Sequence, residues 1–260
     1  MSEAKKVAQF PSATLTDVGR VRERNEDVAV ADPKRGIFVL ADGMGGHPDG
    51  NLAARIAADA SLHYLTAKNL PGRPRDRGER LAEAIRFANS AILERSTTQG
   101  GEPGMGTTLA VAWFGKRQAH VAHVGDSRIY CVREGVVSRL THDHTVVQAL
   151  IDRGELRDGA PEVAQLGHIL TQAVGLDPHV EPEVSVFDSE TGDVLVLCSD
   201  GLSDLVPDAA IGAIVNASGS DLDKAAHDLV ETALNAGGHD NVTVVVARND
   251  QTQSPHRSKP

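Results

Sequence analysis

Short apolar runs alternate with glycine-containing breaks along most of the chain, and three longer stretches repeat apolar residues at helical spacing. The first pattern predicts β-strands and the second predicts amphipathic helices. The predicted strands lie at 13–18, 27–32, 36–41, 107–114, 118–124, 127–133, 136–140, 180–187, 193–198 and 241–247. The predicted helices lie at 51–67, 79–96 and 221–235. Because several strands follow one another closely, antiparallel pairing of sequence neighbours is favoured.

A polar stretch with short helical pieces interrupts the strands from about 141 and predicts a small flap near 145–170. With 260 residues, 40% of them hydrophobic, the chain can bury one sizeable core. We therefore expect one domain over 13–248, preceded by an N-terminal extension at 1–12. The polar residues 249–260 predict a disordered tail.

The formal net charge of −10 argues against nucleic acid as a partner, since phosphate backbones are bound by clustered Lys and Arg. No apolar segment is long enough for a signal peptide or a membrane span, so we expect a cytoplasmic protein without a membrane partner. Cys131 and Cys198 lie in apolar runs, where cysteine usually serves as a small buried hydrophobe. Pairing of the two cysteines is the alternative.

Three aspartates occupy matched positions at strand ends. Asp42 precedes Gly43, Asp200 precedes Gly201, and Asp240 stands just before the last predicted strand. Taken singly, each could be a turn former. Carboxylates brought together by strand pairing repel one another unless a cation neutralises them, and hard oxygen ligands suit Mg²⁺ or Mn²⁺. The shared setting therefore predicts a metal site.

Seven short motifs occur in a set order: TDVGRVRERNED at 16–27, ADGMGG at 41–46, MGTTL at 105–109, VGDSR at 124–128, THDH at 141–144, CSDGL at 198–202 and HDNVT at 239–243. In this order and spacing they resemble the motif set of the protein phosphatase 2C family, bacterial type. The resemblance implies an α+β fold, a four-layer α-β-β-α sandwich of two antiparallel sheets flanked by helix pairs.

The resemblance also implies two or three Mn²⁺ or Mg²⁺ ions. By motif, Asp42 resembles the carboxylate that bridges two metals, and the backbone carbonyl of Gly43 resembles a ligand to one of them. Asp200 and Asp240 resemble ligands to the other. Asp126 resembles the aspartate that helps to hold a third, weaker cation.

Four further residues receive roles from the resemblance. Glu26 and Asp27 resemble an acidic pair that supports the centre through metal-bound water. Arg22 resembles the arginine that binds the substrate phosphate, for which its planar fork is suited. His47 resembles a proton donor to the leaving group, although an exposed loop histidine or a metal-bound water are alternatives.

The remaining histidines receive no ligand role. His142 and His144 bracket Asp143 in a segment that we interpret as a structural turn leading into the flap. His120 and His123 point to opposite faces of a strand and make a poor joint site.

The implied function is metal-dependent hydrolysis of phosphoserine and phosphothreonine in proteins by a metal-activated water, reversing a bacterial Ser/Thr kinase. Expected partners are phosphorylated proteins, including Ser/Thr kinases and their substrates, and the enzyme is expected to act as a monomer. Two alternatives stay open. One is an inactive relative that binds phosphoproteins, and the other is a phosphatase dedicated to a single signalling phosphoprotein, such as an anti-sigma-factor antagonist.

Overall fold

The predicted strands form two antiparallel sheets that face each other. The structure, a computed structural model, describes residues 10–44, 49–67, 76–98, 104–115, 117–157, 166 and 169–251. The strands in these ranges are β1 (Ser12–Asp17), β2 (Asp27–Asp32), β3 (Ile37–Asp42), β4 (Leu109–Phe114), β5 (Gln118–Val124), β6 (Arg128–Arg133), β7 (Val136–Arg139), β8 (Glu183–Asp188), β9 (Val194–Cys198) and β10 (Val242–Arg248).

One sheet has the strand order β1-β10-β9-β6-β7 and the other has the order β2-β3-β4-β5-β8. All neighbouring strands pair in the antiparallel sense. Pairing of sequence neighbours, which the sequence favours, is confirmed for β4 with β5 and for β6 with β7. It is wrong for β5 and β6, which lie in different sheets, because β5 pairs with β8 and β6 pairs with β9.

Helices cover the outer face of each sheet. The described helices are α1 (Gly50–Thr66), α2 (Arg77–Thr98), α3 (Val146–Asp152), α4 (Asp200–Ser203), α5 (Asp208–Ser218) and α6 (Leu222–Asn235). Helices α1 and α2 pack together and contact the sheet that contains β3, whereas α5 and α6 contact the sheet that contains β10. No helix in the described ranges is long and apolar enough to cross a membrane.

Strand β3 shows how the pattern produces four layers. Its side chains alternate in direction with the period of two that strands impose. Phe38 and Leu40 enter the core between the sheets, whereas Ile37, Val39 and Ala41 enter the core beneath α1 and α2. Burial on both faces explains why the strand is an unbroken apolar run, and the predicted four-layer sandwich is confirmed.

Both ends of the packed chain extend slightly past the predicted domain limits of 13 and 248. Phe10 is buried and stacks on Phe114 with ring centroids 5.2 Å apart. At the other end Asn249 is fully buried, and its side-chain amide donates to Ser189 Oγ at 2.9 Å. The start of the predicted tail therefore packs against the domain, and residues 252–260 lie outside the described residues.

The predicted flap begins with α3 and is closed at its base by backbone pairing. Thr145 caps α3 by accepting from Gln148 N, and the backbone N–H of Val146 donates to the carbonyl of Ile169 at 2.8 Å. Residues 158–165 and 167–168, which belong to the predicted flap, lie outside the described residues.

Candidate metal centre

A cleft of about 1180 Å³ is lined by residues from both sheets. It brings together most of the residues predicted from the sequence, namely Arg22, Glu26, Asp42, Gly43, Asp126, Asp200 and Asp240. Asp27 lies buried beside the cleft, directly opposite Asp42 in the pairing of β2 with β3. His47 lies outside the described residues.

Hydrogen bonds fix the backbone of Asp42 at the end of β3. Its N–H donates to Thr108 Oγ1 at 3.0 Å, and its carbonyl accepts from Thr108 N at 2.9 Å and from Thr107 Oγ1 at 2.7 Å. Both threonines are buried. The MGTTL motif therefore positions this aspartate, a role that the sequence did not assign to it.

The glycine after two of the aspartates permits a close backbone approach. A Cβ on Gly201 would lie 2.0 Å from the carbonyl oxygen of Asn241, and a Cβ on Gly43 would lie 2.4 Å from that of Gly50. Contacts this short exclude any side chain. The DG pairs thus let the aspartate-bearing turns pack directly on neighbouring backbone.

Asn241 ties the loop that carries Arg22 to the start of β10. Its Nδ2 donates to the carbonyls of Val18 and Arg24, each at 2.9 Å, and its Oδ1 accepts from Glu26 N at 2.8 Å. These three hydrogen bonds all reach the loop, so Asn241 fixes both ends of the loop. Sequence reasoning included Asn241 in a motif but missed this function.

Burial and mutual repulsion disfavour the ionised form of the carboxylates. Burial, followed by the charges of neighbouring aspartates, raises the pKa of Asp42 and of Asp200 well above the ordinary value. Burial is also the largest cause that raises the pKa of Asp27 and of Asp126, each to about 6. For Asp42 the strongest neighbouring charge is that of Asp27. The described residues therefore supply too little positive charge to compensate for these carboxylates.

Two oxygen atoms of the acidic pair have no hydrogen-bond donor among the described residues. They are Glu26 Oε2 and Asp27 Oδ1, and both are buried. The other oxygen of Asp27 accepts from Ser199 Oγ at 2.8 Å. A hard divalent cation fits such a set of oxygen donors, because it supplies the missing charge and favours carboxylate and carbonyl ligands.

Arg22 lies at the cleft beside one of these carboxylates. Its Nη2 donates to Asp240 Oδ2 at 2.7 Å, and Asp240 Oδ1 accepts from the backbone of Asn241. The Arg22 and Asp240 side chains are 45% and 35% exposed, so the ion pair is accessible to solvent and costs little to separate. Both groups are therefore available to a ligand in the cleft.

Asp204 is a further acidic residue that lines the cleft, and it was not predicted. Its charge contributes to the raised pKa of both Asp126 and Asp200. The sequence does carry a signal, since Asp204 follows Asp200 by four residues and such residues share one face of a helical turn.

One histidine group also brings possible ligand atoms together. His123, His144 and Glu183 place one such atom each within 4.8 Å of one another. His123 Nε2 donates to the carbonyl of His142 at 2.7 Å, and His144 Nδ1 accepts from Gly125 N at 3.3 Å. The proton of neutral His144 then lies on Nε2, which faces Glu183. These bonds favour a stacked, hydrogen-bonded group over a cation site.

The turn that contains Asp143 is structural. Asp143 is buried and accepts from Nε and Nη2 of Arg128, the latter at 2.6 Å. This bidentate pair joins β6 to the segment that leads into the flap. The interpretation of THDH as a structural turn agrees with these contacts.

Comparison with known proteins identifies the family. The family model described as protein phosphatase 2C matches residues 21–242. The serine/threonine protein phosphatase PstP of Mycobacterium tuberculosis is 38% identical over 242 residues, which are 90% of this chain and 44% of that protein. The chain thus spans less than half the length of this relative.

A second relative and a solved structure are matched over nearly their full lengths. The serine/threonine phosphatase stp of Listeria monocytogenes is 35% identical over 249 residues, covering 92% of this chain and 95% of that protein. The crystal structure of the PstP catalytic domain with two manganese ions has a TM-score of 0.80 at 37% identity, covering 92% of this chain and 97% of that one. On the family match, these relatives and the shared fold, the chain belongs to the protein phosphatase 2C family.

Proposed function

We propose that this chain hydrolyses phosphoserine and phosphothreonine in proteins with the help of two or three Mn²⁺ or Mg²⁺ ions. The observation that carries the proposal is the set of partly buried carboxylates in one cleft, two of them with strongly raised pKa values, beside an accessible arginine. Membership of the family and the two manganese ions in the PstP structure support it.

The aspartates of the cleft would hold the ions. Two of them would be held by Asp42, the backbone carbonyl of Gly43, Asp200 and Asp240, which supply hard oxygen ligands. Asp126 would contribute to a third ion, a role supported by its position in the same cleft. Bound divalent cations supply charge stabilisation to the phosphoryl oxygens and make water nucleophilic at neutral pH.

The other residues of the site bind, orient and move protons. The guanidinium group of Arg22 would donate hydrogen bonds to two phosphate oxygens, which requires its ion pair with Asp240 to separate. Glu26 and Asp27 would orient water through their unpartnered oxygens. His47 would protonate the departing serine or threonine oxygen, a proposal that rests on the sequence alone because this residue is outside the described part of the chain.

Partners and cellular setting form the finer part of the proposal. A phosphatase of this family acts on phosphoproteins, and we propose that the chain reverses a Ser/Thr kinase as a cytoplasmic monomer. Its one domain would be the predicted range 13–248 extended by the packed residues Phe10 and Asn249. Light scattering coupled to size-exclusion chromatography tests the monomer. A phosphoproteome comparison with and without the active enzyme tests the substrates.

The central experiment measures phosphate release from a phosphothreonine peptide with Mn²⁺ present. Asp200→Asn should abolish turnover, because it removes a charged oxygen ligand from the cleft, and excess chelator should abolish turnover of the unchanged protein. Asp188→Asn is the matched control, since Asp188 is exposed and pairs with Gln118 at the far end of β5. Circular dichroism should show the same fold in both variants.

Undiminished activity of Asp200→Asn, or activity that survives the chelator, would contradict the metal mechanism. Tight phosphopeptide binding without any turnover by the unchanged, metal-loaded protein would instead support the alternative of an inactive binding protein.

A further inference from the structure

Large apolar side chains lie exposed at the same cleft as the aspartates. Ile169 is 49% exposed and Leu176 is 47% exposed, whereas every other isoleucine and leucine in the described ranges is buried or partly buried. Met44 and Leu170 line the cleft as well and are partly buried. We refer to Met44, Ile169, Leu170 and Leu176 as the apolar wall. Exposed apolar surface that borders a charged site is typical of a binding surface.

Two members of the apolar wall converge over a glycine. A Cβ on Gly106 would lie 2.5 Å from Met44 Cε and 2.9 Å from Leu176 Cδ2. The backbone N–H of Met44 donates to the carbonyl of Gly106 at 3.1 Å. Met44 immediately follows Gly43, so the apolar wall begins next to a proposed metal ligand.

A buried amide on α2 holds Leu176 in position. Asn89 is 1% exposed, and its Oδ1 accepts from Gly175 N at 2.6 Å while its Nδ2 donates to the carbonyl of Asp177 at 2.8 Å. The two bonds flank Leu176 on both sides. The backbone of this exposed leucine is thus fixed by a buried polar group, which lowers the entropy that ligand binding would otherwise cost.

Ile169 and Leu170 are fixed at the base of the flap. The carbonyl of Ile169 accepts from Val146 N at 2.8 Å, and Leu170 forms a β-bridge with Thr145. The apolar wall therefore combines residues from two separately braced segments.

We propose that the apolar wall binds an aliphatic or aromatic side chain that flanks the phosphorylated residue of the substrate protein. This inference rests on the proposed function and specifies its substrate class. A cleft of about 1180 Å³ has room for flanking residues beside a phosphoryl group. Its charged floor and its apolar wall offer separate surfaces to the phosphate and to the flanking side chain, so the enzyme distinguishes substrates by the neighbour of the phosphoresidue.

The test compares phosphothreonine peptides that carry leucine or serine at each of the two positions before and after the phosphoresidue, with Mn²⁺ present. Leucine at one or more of these positions should raise kcat/KM about tenfold over serine, the order expected for an apolar group entering an apolar pocket. Leu176→Ser and Ile169→Ser should each reduce this preference to about twofold or less. Both residues are exposed, so the variants should remain folded.

Val136→Ser is the matched control, because Val136 is 66% exposed on β7 and does not line the cleft. It should keep the leucine preference. The kcat/KM for the serine peptides, which have no apolar neighbour at the tested positions, should be the same in the unchanged protein and in all three variants.

Two results would overturn the inference. One is an equal kcat/KM for leucine and serine peptides at every position. The other is a parallel fall in kcat/KM for the serine peptides in Leu176→Ser, which would mean that Leu176 supports the candidate metal centre. Failure of the proposed function looks different, since then neither p-nitrophenyl phosphate nor any peptide is hydrolysed by the unchanged protein.

Discussion

At the scale of single residues, the metal centre concentrates negative charge that the described protein groups do not neutralise. Arg22 is paired with Asp240 at the cleft, but the pKa values of Asp42 and Asp200 are still raised by burial and by their neighbours. The remaining repulsion favours binding of a cation over a neutral ligand.

Arg22→Ala should lower kcat/KM for a phosphothreonine peptide about 10- to 100-fold, because a hydrogen bond to a charged group contributes roughly 1.5–3 kcal/mol. Arg22→Lys keeps the positive charge but cannot form two parallel hydrogen bonds to the phosphate, so its kcat/KM should lie between those of Arg22→Ala and the unchanged protein. Steady-state kinetics with saturating Mn²⁺ measures both effects.

Arg24→Ala provides the comparison for Arg22, since Arg24 lies on the same loop and also lines the cleft. It should change kcat/KM less than Arg22→Ala does. Equal losses in the two variants would indicate that general positive charge, rather than a specific contact of Arg22, attracts the substrate.

Sequence reasoning predicted Asp42, Asp200 and Asp240 as site residues because each stands at the end of a predicted strand. It predicted the other charged residues from the family resemblance, namely Arg22, Glu26, Asp27 and Asp126. It missed Thr108, Asn241 and Leu176, whose roles depend on contacts between distant parts of the chain. Thr108 bonds to Asp42 from the start of the neighbouring strand, and Leu176 and Met44 both lie next to Gly106. No local pattern encodes such contacts.

At the scale of elements, the strands and long helices could be predicted to within a few residues, because their periodicity reflects burial. Helix α4 is a single turn and is too short for periodicity to reveal. Helix α2 also contains a sequence feature that the prediction did not take into account. Asn89 lies on its buried face, which includes Ile85, Ala88 and Ile92. A polar residue on an apolar face indicates a specific buried partner.

Asn89→Ala should reduce the free energy of unfolding by about 1–3 kcal/mol, because it leaves Gly175 N and the Asp177 carbonyl without their partner. Chemical denaturation measures the loss. The same variant should weaken the preference for leucine-containing peptides, since Leu176 would lose its brace.

Ser90→Ala is the control on the same helix, where the exposed Ser90 hydroxyl donates only to the carbonyl of Arg86 in the preceding turn. It should change the free energy of unfolding by less than about 0.5 kcal/mol. A similar cost for both variants would argue against a special role for Asn89.

At the scale of the whole molecule, the candidate metal centre lies between the two sheets, since Asp42 ends a strand of one sheet and Asp240 precedes a strand of the other. Cation binding should therefore stabilise the sandwich as a unit. Anything that binds only the folded state raises the free energy of unfolding.

In excess chelator, the protein should lose stability as the pH rises from about 4 to 7. The folded-state pKa of Asp126 is about 6, above its ordinary value of 3.8. Its stabilising contribution is therefore complete below the lower value and is lost as the pH rises through the higher one. At about 1.4 kcal/mol for each tenfold change in proton affinity, the loss is roughly 3 kcal/mol.

Asp126→Asn cannot titrate and should show a smaller loss over this range, whereas Asp188→Asn should follow the unchanged protein. Denaturation curves at several pH values, with chelator and with Mn²⁺, provide the measurement. Mn²⁺ should restore stability at pH 7. Identical pH dependence in Asp126→Asn and the unchanged protein would show that Asp126 ionises freely in the folded state.

The two cysteines have a consequence for oxidative conditions. Cys131 and Cys198 are buried and unpaired, and burial raises the pKa of each thiol to about 12. Peroxide reacts with thiolates, which are nearly absent at neutral pH when the pKa is so high. Hydrolysis that uses no cysteine nucleophile would then continue at peroxide concentrations that inactivate phosphatases with a catalytic cysteine.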